Sequence, residues 1–438
     1  MILKWAQYYK MNDLNIIFNI LKAIIYDDSK SSDMINKYAN DADNLSFVTK
    51  NVYGVLENKI YLDYMIRKLS NIRLKKIHKN VLIILEIGIY NIHFLETKDY
   101  ATVDKLVDLT KEKNKRSAGF VNAILRNFIR DEKEISTIYE TDDIKSLSIR
   151  YSFSEEITRY IHDFYGMDYT KAYLRDANRI KDMSIRINRL KTNKTDLKSM
   201  LEKEGYQVRE GRISKNSLIV ENPSGLAESK LFKDGLFTIQ QESSMKAVEV
   251  LNPEKGSKIL DLCAAPGTKT TYIGEWTENQ AEIIANDISK AKNKLIYENI
   301  DRLTLKNIFL TNSDASTFVE DFENKFDYVL VDAPCSGLGV VGRKPEIRYN
   351  RDKETILRLA ELQKEILNQA VKYLKPGGFL VYSTCTIGTI ENRDNFTYLL
   401  NRKELEHIQI DGQDFIEYKS FEDMTDGFFI SKFRKIND

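Results

Sequence analysis

A chain of 438 residues exceeds one ordinary core and is read as two or three domains. With 42% hydrophobic and 30% charged residues it is a folded globular protein, and a net charge of +1 leaves any nucleic-acid binding to local basic patches. Three widely spaced cysteines with no C-x-x-C pair support neither a disulfide framework nor a zinc site. The N-terminus lacks an uninterrupted apolar signal region. The longest apolar run, Val81 to Tyr90, contains Glu86 and is too short to span a bilayer, so a cytoplasmic protein with reduced thiols is expected.

Residues 1–140 carry apolar side chains at three- and four-residue spacing, as in Ile16, Ile17, Ile20, Leu21, Ile24 and Ile25, which predicts a compact helical domain. Two basic clusters lie in it: Arg67, Lys68, Arg73, Lys75, Lys76 and Lys79, then Lys111, Lys113, Lys115, Arg116, Arg126 and Arg130. Charge runs on helices are commonly solvated faces. The second cluster, weighed against Asp108 and Glu112, is a candidate RNA contact. The runs I-L-E-I-G-I-Y-N-I-H-F-L (84–95), V-D-K-L-V-D-L-T-K (103–111) and G-F-V-N-A-I-L-R-N-F (119–128) resemble the NusB-type helical RNA-binding domain.

Residues 141–235 change character. A helical stretch at Glu155 to Tyr165 gives way to the alternating S-I-R-I-N-R-L-K, a helix ending at Gly205, and strands at Gln207 to Arg212 and Leu218 to Val220. Between Arg175 and Lys215 there are twelve Lys or Arg against six Asp or Glu. A small α+β unit with one basic face would make an RNA cradle.

From residue 236 the pattern becomes strand, loop, helix, repeated, with strands at Ile283 to Asn286, Ile308 to Leu310, Tyr328 to Val331 and Phe379 to Tyr382. It predicts a doubly wound α/β sheet of Rossmann-like type, with Leu405 to Ile410 and Phe428 to Phe433 as an added antiparallel edge. The first strand opens K-I-L-D-L-C-A-A-P-G-T-K-T (258–270), a strand leaving a sheet through a tight turn into a helix. Only Gly267 is a glycine there and Pro266 has no N–H, so the loop suits phosphate poorly and a nucleoside with a cationic sulfonium better. Asp287 closes the second strand where a carboxylate can accept both ribose hydroxyls, and Asp314 follows the third, placed for an adenine amine. Singly each is an ordinary cap; together with the loop they outline one adenosyl pocket. The next strands end D-A-P-C-S-G and Y-S-T-C-T, and neighbouring positions would bring Asp332, Cys335 and Cys385 together beside it, with the thiols placed as nucleophiles.

The segments D-L-C-A-A-P-G-T-K-T, D-A-P-C-S-G, Y-S-T-C-T, E-N and D-G-F-F-I-S-K-F resemble the RNA cytosine-C5 methyltransferases, and with the NusB-like domain in front the chain resembles the bacterial Sun/Fmu type that acts on 16S ribosomal RNA. The resemblance implies a methyltransferase domain over 236–438, preceded by a NusB-like domain over 1–140 and an RNA-contacting connecting domain over 141–235. It implies S-adenosyl-L-methionine as cofactor, held by Cys263, Ala264, Ala265, Pro266, Gly267, Thr268, Lys269, Asp287, Asp314 and Asp332. It assigns attack on C6 to Cys385, product release to Cys335, hydrogen bonding of the base to Asp332 and a further base contact to Lys269. The partner implied is 16S rRNA, free or in an early assembly intermediate, with no metal, no membrane and a monomer as the default. A transfer-RNA methyltransferase and an inactive RNA-binding assembly factor are the alternatives. Three positions depart from the family pattern: Thr268 for a second glycine, Gln241 for an Asp, and Tyr349 for a Trp after P-E-I-R.

Overall fold

The structure, a computed structural model, describes residues 10–27, 29–97, 100–138, 141–179 and 181–436. It divides into two compact units, Met1–Arg179 with Val341–Asp352, and Ile180–Val340 with Lys353–Asp438.

The first unit is helical: α1 (Met11–Tyr26), α2 (Ser31–Tyr38), α3 (Leu45–Leu69), α4 (Lys79–Phe94), α5 (Tyr100–Asn114), α6 (Ala118–Ser136), α7 (Ile144–Tyr151) and α8 (Glu155–Ala177). Side-chain caps fix several starts, with Asn44 accepting from Phe47 N, Asp143 from Ser146 N and Ser154 from Ile157 N. Helix α4 is apolar on nearly every side and forms the centre of the bundle. Glu86 within it is buried and pairs with Lys59 Nζ at 2.9 Å. Helices α3 and α4 approach closely because Gly54 has no Cβ; one built there would lie 2.0 Å from the Tyr90 ring.

The P-E-I-R-Y segment belongs to this unit. Arg348 is fully buried, donating to the carbonyls of Glu57 (3.0 Å) and Ala177 (2.7 Å) and to Asn178 Oδ1, while Ser31 Oγ donates to Glu346 at 3.2 Å. Tyr349 packs against the helical core, which accounts for a large aromatic at that position.

The second unit holds two sheets. The smaller contains β1 (Met183–Ile187), β2 (Val208–Glu210), β3 (Ser217–Val220) and β4 (Phe237–Ile239), in the antiparallel order β2-β3-β1-β4, with α9 (Lys194–Lys203) connecting the first two. Strand β4 is absent from the sequence reading because three residues are too few to show alternation.

The larger sheet contains β5 (Lys258–Asp261), β6 (Glu282–Asn286), β7 (Ile308–Thr311), β8 (Phe326–Asp332), β9 (Leu374–Thr384), β10 (Leu405–Ile408), β11 (Ile416–Tyr418) and β12 (Phe428–Lys435). Its order is β10-β12-β9-β8-β5-β6-β7, with β11 also on β12. Strands β5 to β9 pair in parallel. Helices α10 (Glu242–Leu251), α11 (Thr268–Trp276), α12 (Lys290–Leu303), α13 (Lys353–Tyr373) and α14 (Arg393–Leu400) accompany them.

Alternate strand residues feed two cores. Leu260, Val329 and Leu380 pack with Ile366 and Leu367 of α13, while Ile259, Leu330 and Val381 pack with Met245 and Val248 of α10. Burial on both faces explains why these strands read as continuous apolar runs. The expected antiparallel edge differs in one respect: β12 lies inside the sheet, paired with β9 and β10, and β10 is the edge. Strand order reverses between β6-β5 and β8-β9, so the carboxyl ends of β5 and β8 form the switch point where open α/β sheets bind ligands. Among the described residues, no helix is long and apolar enough to cross a membrane.

Candidate active site

Five strand ends, those of β5 to β9, build the site. Beyond β5 the chain turns through Leu262 N to Leu330 O (3.0 Å) and Ala264 N to Asn286 O (2.8 Å). Gly267 sits at φ 94°, and a Cβ on it would meet Ile296 Cγ2 at 3.0 Å, so this position requires glycine on both counts. Thr268 is the first residue of α11 and keeps a negative φ, so the missing second glycine leaves the loop undisturbed. Gln241 precedes α10 without capping it; its Oε1 accepts from Ser184 Oγ at 3.1 Å.

Asp287 accepts from Ala265 N (3.2 Å) and Ser289 N (2.9 Å), which ties the end of β6 to the loop. Asp314 is exposed, and its hydrogen bonds with Ser316 Oγ (2.7 Å) and Ser316 N (2.9 Å) hold its carboxyl below the usual range. Asp261 is buried and accepts from Thr270 Oγ1 at 2.6 Å, while its Oδ1 has no partner. Burial, reinforced by Asp332 and Asp287, pushes Asp261 up to about 7 against the Thr270 bond. The Cys263 thiol is pushed well up, first by burial and then by the field of Asp261, Asp332, Asp287 and Asp314. It is a protonated packing thiol at the focus of four carboxylates.

At the ends of β8 and β9 the polar groups meet directly. Lys269 Nζ lies 2.6 Å from Asp332 Oδ2 and 5.3 Å from the Phe428 ring centre, and Ser383 Oγ donates to Asp332 Oδ1 at 2.9 Å. Cys335 Sγ and Cys385 Sγ are 3.3 Å apart, both half-buried and neither in a disulfide. Their hydrogen bond, then burial, pushes the Cys335 thiol well above its ordinary value. The structure thus joins Lys269 to Asp332, Cys335 to Cys385 and Ala265 to Asp287, whereas the hydrogen bonds of Asp314 stay within its own loop.

Three residues at the site escaped sequence reasoning. Asn286, fully buried, donates to Leu262 O (3.1 Å) and Ser313 O (3.0 Å) and accepts from Ser313 N (2.9 Å), locking together the loops after β5, β6 and β7. The available signal was an amide inside the apolar strand I-I-A-N. Arg186 is one of the twelve cations counted in the basic stretch, but it is fully buried, with Nη2 2.8 Å from Glu275 Oε1 and Nη1 donating to Thr268 O at 2.7 Å. It therefore fixes the first turn of α11. Glu391 was visible only as part of the E-N segment. The helical basic cluster is also balanced by acids on its own helices, Arg126 facing Asp104 (3.7 Å) and Arg130 its neighbour Asp131 (2.7 Å).

A nucleoside bearing a positive charge fits this donor set: the fields of Asp261, Asp287, Asp314 and Asp332 all reach Cys263 in this loop of small residues, and one oxygen of the buried Asp261 lacks a partner.

A family model described as 16S rRNA methyltransferase RsmB/F matches residues 248–434, the NusB family model matches 11–130, and a Methyltr_RsmF/B-like ferredoxin-like domain matches 157–227. The chain is 35% identical over 80% of its length, and 78% of the relative's, to the "Probable ribosomal RNA small subunit methyltransferase B" of Bacillus subtilis. Among solved structures, the crystal structure of PH0851 aligns with a TM-score of 0.82 over 97% of this chain and 99% of that one at 24% identity, a likeness of fold. NSun6 from Pyrococcus horikoshii, solved with SFG, aligns with a TM-score of 0.58 over 66% of this chain and 100% of that one at 25% identity. With the NusB domain, the ferredoxin-like connector and the methyltransferase sheet all in place, the chain belongs to the 16S rRNA methyltransferase RsmB/F family.

Proposed function

We propose that the protein methylates C5 of a cytosine in 16S rRNA with S-adenosyl-L-methionine, by way of a covalent bond between Cys385 and C6 of the base. The observation that carries this reading is the pair of thiols 3.3 Å apart at adjacent strand ends, beside the Lys269–Asp332 pair. Cys263 to Lys269, Asp287, Asp314 and Asp332 hold the cofactor in this reading. When bound, it supplies an electrophilic methyl group on a positively charged sulfur.

C5 of cytosine is a weak nucleophile. Attack by the Cys385 thiolate at C6 moves the ring electrons toward N3, which takes a proton relayed from Lys269 through Asp332, and leaves an electron-rich C5 that accepts the methyl. Asp332 hydrogen-bonds the base at N3 and its exocyclic amine, and Lys269 orients that carboxylate from 2.6 Å. After methylation N3 returns its proton by the same path, the C5 proton passes to solvent, the C5–C6 double bond re-forms and the C6–S bond breaks. The Cys335 S–H, in hydrogen-bond contact with Cys385, donates to the departing thiolate. The cytosine must be unpaired or flipped out to present C6.

The RNA-binding roles of the helical unit and the small sheet, a monomeric state and a cytoplasmic location belong to the same proposal. Labelled methyl incorporation into protein-free 16S rRNA, with transfer RNA in a parallel reaction, tests it. Label in the 16S reaction alone is expected; label only in transfer RNA would overturn the substrate.

A further inference from the structure

Behind the two thiols lies a buried polar cluster with no apolar substitute for its geometry. Glu391 is fully buried. Its Oε1 accepts from Ser336 N at 2.8 Å and Gln363 Nε2 at 3.0 Å, and its Oε2 accepts from Ser336 Oγ. Ser336 Oγ lies 2.6 Å from Thr386 Oγ1, which accepts from Leu338 N at 3.2 Å. A carboxylate only accepts, so the Ser336 proton points to Glu391 and the Thr386 proton to Ser336. The chain of bonds therefore runs one way, from Leu338 N–H through Thr386 and Ser336 to Glu391.

Its placement gives it a consequence. Ser336 directly follows Cys335 and Thr386 directly follows Cys385, so the two hydroxyls clamp the two thiol-bearing loops at the residue next to each sulfur. The neighbouring Asn392 reinforces the second loop, donating to Thr386 O at 3.1 Å and accepting from Thr384 Oγ1 at 2.5 Å. Tyr382 OH donates to Glu391 O at 2.5 Å and lies 3.0 Å from Gln363 Oε1, so the Glu391 backbone is held as well as its carboxylate.

We infer that Glu391 is a positioning residue that sets the separation of the Cys335 and Cys385 thiols without touching substrate or cofactor. The inference rests on the two-thiol reading above, and the test separates the two. Phenylarsine oxide condenses with two close thiols, forming two As–S bonds and releasing one water, so its affinity reads thiol spacing without methyl transfer. The wild-type protein is expected to bind one equivalent. Glu391→Ala should weaken that binding at least about tenfold and lower kcat by about 100-fold, the cost of a misplacement near 1 Å, with KM for rRNA and cofactor affinity within about threefold. Glu391→Gln should restore most of both, because its amide oxygen accepts from Ser336 N and Gln363 while its NH2 donates to Ser336 Oγ and the chain reverses through Thr386 to Ile387 O, 3.3 Å away. Ser336→Ala keeps the Glu391 side chain and cuts the link to Thr386, so it gives the same directions should Glu391→Ala not fold. Unchanged arsenical binding and turnover in a folded Glu391→Ala would overturn the inference. So would loss of cofactor affinity in step with turnover, which marks general structural damage. Tight arsenical binding by a wild-type protein that methylates no RNA would instead retire the catalytic reading and leave the spacing role standing.

Discussion

Replacing Arg186 by Met removes a guanidinium with no exposure and leaves Glu275, itself buried, without its ion-pair partner. Arg186 Nε and Nη2 bond both Glu275 oxygens, at 3.0 and 2.8 Å, and Nη1 donates to Thr268 O at 2.7 Å; the guanidinium also stacks 4.8 Å from the Tyr272 ring centre. Breaking a buried pair from one side costs about 3–5 kcal/mol. At about 2–4 °C per kcal/mol, unfolding of the sheet-bearing unit should fall by roughly 6–20 °C in a thermal melt. Burial already raises the Glu275 carboxyl, with Arg186 as the main opposing influence. Without Arg186 the native state holds a proton that the unfolded state releases above about pH 4.3, so the deficit deepens as pH rises. Melts at pH 5 and pH 8 check this, and Arg186→Met with Glu275→Met should recover part of the loss. A single-variant loss below about 1 kcal/mol, or one equal at both pH values, would refute the assignment of a buried ion pair.

Asp261→Asn keeps the Thr270 bond through its amide oxygen but cannot titrate. With the wild-type carboxyl raised to about 7, native protein binds a proton that unfolded protein releases near pH 4, so wild-type stability falls as pH rises through about 4 to 7 and the variant lacks that component; equal slopes in melts would contradict it. Gly54→Ala places a Cβ 2.0 Å from the Tyr90 ring and should destabilise the helical unit by about 1–3 kcal/mol, read as a lower denaturant midpoint. Cys385→Ala should abolish labelled-methyl transfer to rRNA without changing cofactor affinity by more than about twofold, because in the proposed mechanism the thiol acts on the base and not on the cofactor.

The loop after β5 and the thiol-bearing strand ends were legible because their composition is unusual: one glycine, a proline and small residues after an apolar strand, and cysteines where strands leave the sheet. What could not be read depends on partners remote in sequence. Arg186 counts as one more cation in a basic stretch until folding brings Glu275 to it, and Arg126 looks unbalanced until Asp104 lies beside it. Asn286 looks like a strand terminator, whereas its amide joins three loops. The position of β12 between β9 and β10 follows from pairing choices that local alternation does not encode. P-E-I-R-Y gives no local sign that its Arg and Tyr pack in the helical unit and not in the sheet-bearing one.

The most direct test of the mechanism is a denaturing gel of Cys335→Ala incubated with protein-free 16S rRNA and S-adenosylmethionine. With release impaired, a protein–RNA species stable to denaturant should accumulate and should be missing from the Cys335→Ala, Cys385→Ala double variant. An adduct that survives loss of Cys385, or active Cys335→Ala enzyme that forms none, would contradict the two-thiol account.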